Sequence, residues 1–273
     1  DLHSFPTRRS SDLVGAELRH LLQALADLLF PPCCLACGTA LPAGLPPLCC
    51  ADCLARLPAI HAPICSCCGT PFQAGTSHLC GACLAKGPDF ALARSPFCYE
   101  GVLRDALLGL KFHHNFSWLP SLGALCRNSA LMADLAGPDL IVPVPLHVRR
   151  LRERGFNQSL LLARHCFPMW QDKIRSDLLV RTRYTTPQTA LDGGARRRNL
   201  QHAFAADSEV AGKKILLVDD VFTTGTTVAA CSQALLLAGA GRVEVFTPAR
   251  SVQPLQRPPI PGTPQPAPAQ SRQ

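Results

Sequence analysis

From about Asp89 the chain alternates short apolar runs with amphipathic stretches. Ala91–Tyr99 reads as a strand, and Gly101–Phe112 places Val102, Ala106, Leu107 and Leu110 at helical spacing. Leu140–Val144 is a strand ending in turn chemistry, and Asn157–Cys166 is a helix. Lys214–Val218 is apolar enough to be buried on both faces, as strands of parallel sheets are. Thr226–Ala238 is predicted helical, with Gly239 and Gly241 as its stop, and Arg242–Thr247 is a further strand. Strand, helix and strand at this spacing predict a parallel sheet. Ahead of this region, Ala16–Phe30 puts Leu18, Leu21, Leu22, Leu25, Leu28 and Leu29 on one helical face, so residues 14–32 are expected to hold a short Leu-rich helix ended by Pro31 and Pro32. The C-terminal stretch, 252–273, holds seven prolines and is expected to be disordered. Asp1–Leu13 has the look of a translated sequencing-library adapter, is not headed by Met, and is expected to add nothing to the fold.

Length and composition narrow the class. A chain of 273 residues with 47% apolar and 17% charged residues is globular and has room for one or two domains. Its longest apolar runs, such as Ile215–Val218 and Ala234–Ala240, fall far short of the roughly 20 residues a bilayer span needs, so no membrane insertion is expected. Between Arg149 and Arg198, eleven Arg and one Lys face four acids, an excess as large as the whole chain's net +8. Such a field suits an anionic ligand, either a phosphorylated small molecule or nucleic acid. Single-stranded DNA is the nucleic acid considered, carried by Arg149, Arg150, Arg152 and Arg154. Few aromatics neighbour them in sequence, so stacking is expected to add little.

Fifteen cysteines change the picture more than charge does, because eleven lie between Cys33 and Cys83. Cys34-x2-Cys37, twelve residues and Cys50-x2-Cys53 form one unit. Cys65-x2-Cys68, eleven residues and Cys80-x2-Cys83 repeat it 31 residues later. Zinc takes four soft ligands tetrahedrally, and paired knuckles supply them, so two closed structural Zn2+ sites are expected. Their metal supplies folding energy that a Pro- and Gly-rich segment of this size lacks. Cys33 or Cys49 is an alternative to Cys34 or Cys50 by register. The thiols imply a reduced, cytoplasmic compartment.

The sharpest motif is Leu216-Leu-Val-Asp-Asp-Val-Phe-Thr-Thr-Gly-Thr-Thr227. A buried strand ends in two acids, and a Thr/Gly loop then opens a helix, whose first amides cradle phosphate. Asp219 and Asp220 can accept hydrogen bonds from vicinal hydroxyls or hold Mg2+ through water. Acid pair and phosphate cradle together describe a ribose 5-phosphate. No G-x-x-x-x-G-K-[ST] sequence is present, and no G-x-G-x-x-G follows a strand.

Val218–Thr227 resembles the phosphoribosyl pyrophosphate (PRPP) motif of type I phosphoribosyltransferases. With Pro143–Gln158, Arg183–Leu191, Arg196–Phe204, Tyr99-Glu-Gly101, Leu110-Lys-Phe112 and the cysteine repeat, the chain over about 28–250 resembles the competence protein F (ComF) family. The resemblance implies an α/β fold: a type I phosphoribosyltransferase-like parallel sheet flanked by helices at 88–251, preceded by a small double zinc ribbon at 33–87. It implies that Asp219 and Asp220 hold the ribose hydroxyls in the catalytic centre. Val221, Phe222, Thr223, Thr224, Gly225, Thr226 and Thr227 would then form the 5-phosphate loop. Pro145, Leu146 and Arg149 fall where the pyrophosphate loop lies, and Arg197 falls in a flap over 184–198, whose R-x-N element runs on to Asn199. Mg2+ accompanies PRPP in such sites. The family is linked to uptake of transforming DNA, and its acceptor base is not established. Nucleotide salvage is a further expectation. The alternative is a catalytically silent DNA-binding or adaptor module for a DNA-import helicase or ATPase.

Overall fold

The computed structural model describes residues 33–34, 37–41, 49–135, 137–183 and 203–252. The expectations for the adapter-like segment, the Leu-rich helix, the flap with Arg197, and the tail from residue 253 on fall outside the described residues. Two compact units divide the chain, Asp1–Leu54 and Ala55–Gln273, with the boundary between the two cysteine sets. Within the first unit, Cys33 and Ala40 form an antiparallel bridge around a tight turn, where the Gly38 amide donates to the Cys34 carbonyl at 2.8 Å. A short helix, Ala51–Ala55, begins directly after Cys50.

The second unit is built on a four-stranded parallel sheet. Strands β1 (Leu92–Arg94), β3 (Leu140–Pro143), β6 (Lys214–Val218) and β8 (Arg242–Phe246) lie in the order β1-β8-β6-β3. β6 takes the bounds its pattern predicts. Ile215, Leu216, Leu217 and Val218 are all at most 1% exposed, as a central strand covered on both faces requires. Helices Gly101–His113, Leu119–Arg127, Gln158–Cys166 and Thr226–Leu237 belong to the same unit. The α/β class with a parallel sheet is thus as read from the pattern.

Three strands do not stop at the edge of this sheet. Each breaks and resumes in a smaller parallel sheet of the same order: β2 (Phe97–Cys98), β9 (Ala249–Arg250) and β7 (Val221–Phe222), arranged β2-β9-β7. Ala91–Tyr99 is therefore two strands and not one. The breaks are Ser95-Pro96, Thr247-Pro248 and Asp219-Asp220. Proline cannot donate to a ladder, which accounts for two of them. Across the breaks Ser95 Oγ and Thr247 Oγ1 share a 2.7 Å hydrogen bond. The third break carries the paired acids. A hairpin of β4 (Leu179–Arg181) and β5 (Phe204–Ala206) is antiparallel.

Candidate functional site: two cysteine sets and a carboxylate pair

Each cysteine set gathers its four sulfurs. Cys34, Cys37, Cys50 and Cys53 form one group, and Cys65, Cys68, Cys80 and Cys83 the other, with all sulfurs of a group within 4.8 Å of one another. Cys37 and Cys50 sulfurs are 3.7 Å apart, as are those of Cys68 and Cys80. A disulfide would hold them at about 2 Å. Tetrahedral zinc with bonds of about 2.3 Å separates its sulfurs by about 3.8 Å, so the donor set and spacing fit zinc. Burial raises the Cys65 thiol, but the Cys80, Cys68 and Cys67 amides favour its thiolate more, and its pKa falls to about 6. The Cys80 amide donates to Cys65 Sγ at 3.3 Å. Cys33 and Cys49 stand outside the first group, and burial with the nearby Cys34 charge pushes the Cys49 thiol up to about 12.

The break after β6 presents Asp219 and Asp220, each 8% exposed. Asp219 Oδ1 accepts from Ser159 Oγ at 3.0 Å and from the Asp220 amide at 2.9 Å. Asp220 Oδ1 accepts from the Val221 amide at 3.0 Å, and its Oδ2 pairs with Lys111 Nζ at 3.2 Å. Burial and the Asp220 charge push the Asp219 carboxyl up to about 7. The amide and Ser159 hydrogen bonds oppose that shift without cancelling it.

The loop that follows turns at Gly225, whose φ of +74° lies in the left-handed region. Gly225 is the N-cap of helix Thr226–Leu237, and no side chain caps that end. Its first amides take no side-chain cap, and the hydroxyls of Thr224 and Thr226 beside them lie 2.7 Å apart. Thr223 is exposed and Thr227 half-buried. Phe222 differs from its neighbours in the motif: its ring is buried beneath the loop, edge-on to Phe90 at 6.1 Å. A Cβ on Gly225 would stand 2.7 Å from that ring, so the glycine is required by the ring below as well as by its φ.

Across the sheet edge, β3 leads into Pro145, which is buried, and Leu146, half-buried. Asn157 Nδ2 donates to the Val144 carbonyl at 3.1 Å, tying this turn to the helix that Asn157 caps. Arg149 is exposed on a short helix, Val148–Arg154, that its charged sequence hides from periodicity. Its cues were the caps: His147 Nδ1 accepts from the Arg149 amide, and Gly155 ends the helix at φ +77°. Beside this helix the fold assembles aromatics from two parts of the chain. His114 Nε2 lies 3.0 Å from the Arg154 carbonyl, and the His114 and Phe116 rings pack on Phe156 at 5.4 and 5.0 Å. Phe116 is 41% exposed. The few aromatics that neighbour the arginines in sequence predict little stacking; the fold brings three rings beside their helix.

Lys111 and Ser159 escaped the reading of the sequence as site residues. They reach the acids across 109 and 60 positions, and no local spacing announces that.

The chain is similar to several known proteins. A family model described as a double zinc ribbon domain matches residues 25–84. The DNA utilization protein YhgH of Escherichia coli (strain K12) is 39% identical over 196 residues, covering 68% of this chain and 83% of that protein. Competence protein F of Haemophilus influenzae is 31% identical over 193 residues, covering 67% and 83%. Competence protein ComFC of Bacillus subtilis (strain 168) is 29% identical over 163 residues, covering 58% and 64%. A solved glutamine PRPP amidotransferase of B. subtilis, complexed with ADP and GMP, overlaps 47% of this chain and 25% of its own, at 20% identity and a TM-score of 0.30. A double zinc ribbon and a parallel α/β sheet domain in one chain define the class of protein. The chain belongs to the competence protein F (ComF) family.

Proposed function

We propose that residues 218–227 bind PRPP with Mg2+, in a protein that serves DNA utilization or competence, the roles its relatives' names carry. The observation that carries this reading is the strand break itself. It offers two nearly buried carboxylates a short strand and loop ahead of a helix N-terminus that no side chain caps. Asp219 Oδ2 takes no hydrogen bond among the described residues, which leaves it open to a ribose hydroxyl. The Thr223–Thr227 amides and hydroxyls would take the 5-phosphate, where the helix dipole favours negative charge. Arg149, beyond the turn at Pro145 and Leu146, would meet the pyrophosphate. Mg2+, when bound, neutralises pyrophosphate charge as it leaves, and the acids are its available donors. Phosphoribosyl transfer to an acceptor would then depend on positioning and charge stabilisation by these groups. Titration with Mg2+ and PRPP tests the reading.

A second reading is favoured by a separate observation, the aromatic cluster against the arginine helix. It would make Val148–Arg154 with Phe116 and Phe156 a face for single-stranded DNA, with phosphates on Arg149, Arg150 and Arg152 and bases on the rings. Binding of an oligonucleotide should weaken steeply with salt, and Phe116→Ala should weaken it by on the order of tenfold, near the stacking contribution of one base. Binding that ignores both salt and Phe116→Ala removes this face.

A further inference from the structure

Two arginines grip the Cys65–Cys68 knuckle of the second cysteine set while buried to 7% and 4% exposure, Arg94 and Arg250. A buried guanidinium is costly without a counter-charge. Arg94 has one, since it pairs with Asp134 while donating to the Ser66 carbonyl at 3.2 Å. Arg250 has no carboxylate partner among the described residues. It donates through Nη1 to the Cys68 carbonyl and through Nη2 to Thr70 Oγ1 at 2.8 Å. That hydroxyl is itself 3.1 Å from Cys68 Sγ. Four thiolates around one Zn2+ leave a net negative charge, which is the counter-charge Arg250 otherwise lacks.

The other face of the same guanidinium lies 4.9 Å from the Phe222 ring centre. Phe222 and Arg250 are register partners between β7 and β9, and the Ser251 amide donates to the Phe222 carbonyl at 2.8 Å. The Phe222 ring in turn fills the space directly beneath Gly225. Metal knuckle, arginine, ring and glycine turn are thus in unbroken contact within one compact unit.

We propose that Arg250 is a positioning residue that couples the second cysteine set to the phosphate loop. With Cys65, Cys68, Cys80 and Cys83 loaded with zinc, Arg250 stays anchored under Phe222, and Phe222 holds Gly225 and the loop amides in the conformation that receives phosphate. Loss of that zinc to a chelator releases the loop. The ligand for this coupling rests on the PRPP reading above, but the coupling itself also has a readout that needs no ligand.

The test uses the full chain and three measurements: zinc content, hydrogen exchange of the peptide spanning 221–228, and calorimetry with Mg2+ and PRPP. Arg250→Met keeps an unbranched apolar stem and removes the charged guanidinium. Cys83→Ser breaks the second cysteine set and Cys37→Ser the first. Arg250→Met and Cys83→Ser should each speed exchange in 221–228 and weaken PRPP binding by about 30-fold, the scale of one desolvated cation–π contact. Cys37→Ser should change neither. Phe222→Leu should loosen the loop while the second set keeps its zinc, which covers the case of Arg250→Met failing to fold. By linkage, saturating PRPP should make zinc at the second set harder to strip by the same factor. Wild-type exchange in 221–228 for either Arg250→Met or Phe222→Leu overturns the coupling. A wild-type chain that fails to bind PRPP, yet shows the exchange differences, overturns the ligand reading and leaves the coupling standing.

Discussion

Gly225→Ala is a sharp probe of the phosphate loop, because two separate costs fall on one methyl group. The backbone at Gly225 has φ +74°, where an L residue pays about 1–2 kcal/mol. The new Cβ would also stand 2.7 and 3.1 Å from Phe222 Cζ and Cε1. That ring cannot easily yield, since it is 7% exposed and held between Phe90 and Arg250. Overpacking of this kind costs about 1–3 kcal/mol. The sum is about 2–5 kcal/mol, or roughly 4–20 °C in the melting of a unit of this size. If the loop moves and not the ring, PRPP affinity falls as well. Scanning calorimetry and PRPP titration of Gly225→Ala beside Gly225→Ala with Phe222→Leu separate the two costs. The second change removes the steric part and should recover stability while leaving the backbone part. A Gly225→Ala protein that melts and binds as wild type would refute the argument for the loop's geometry.

Elemental analysis should find two zinc ions per chain, and Cys83→Ser should lower this to one while Cys98→Ser, a buried thiol outside both sets, keeps two. Asp219 should make PRPP binding depend on pH. Its folded pKa is raised from the usual carboxylate value to about 7, so its burial disfavours folding increasingly as pH rises from about 4 to about 7, whereas a ribose hydroxyl needs the carboxylate. Affinity should therefore rise with pH up to about 7, by at most about tenfold per unit for one proton, and Asp219→Asn should lose that slope. Calorimetry at several pH values, with the variant as reference for PRPP's own ionisation, measures it.

How far the sequence led depends on the range of the interactions involved. β6 and the helix after it were legible because a purely apolar run and a Gly/Thr turn are local signals; the helix closes at Leu237, one residue short of expectation. The cysteine duplication likewise foretold which eight sulfurs converge, although the choice between Cys33 and Cys34 needed three-dimensional positions. The split of Ala91–Tyr99 was signalled by Pro96, but its meaning was not: the break is one of three in a row across the sheet, and the acids occupy another. Lys111 at Asp220, Arg250 on the cysteine knuckle and the His114–Phe116–Phe156 cluster come from long-range packing, which no spacing rule reports.

The central claim is that the acids at the β6 break and the loop after them hold a phosphorylated ribose. Calorimetric titration of the wild-type chain with Mg2+ and PRPP, beside the Asp219→Asn, Asp220→Asn double variant, tests it most directly. Each replacement removes a charge-assisted hydrogen bond of about 1.5–3 kcal/mol, so together they should weaken binding by about 100-fold or more at about 1.4 kcal/mol per decade. The fold should persist, because both residues stand at a strand's end, outside the apolar core. Saturable wild-type binding that the double variant loses, with melting intact, is the predicted result. No wild-type binding, or the same affinity in both proteins, would contradict the account.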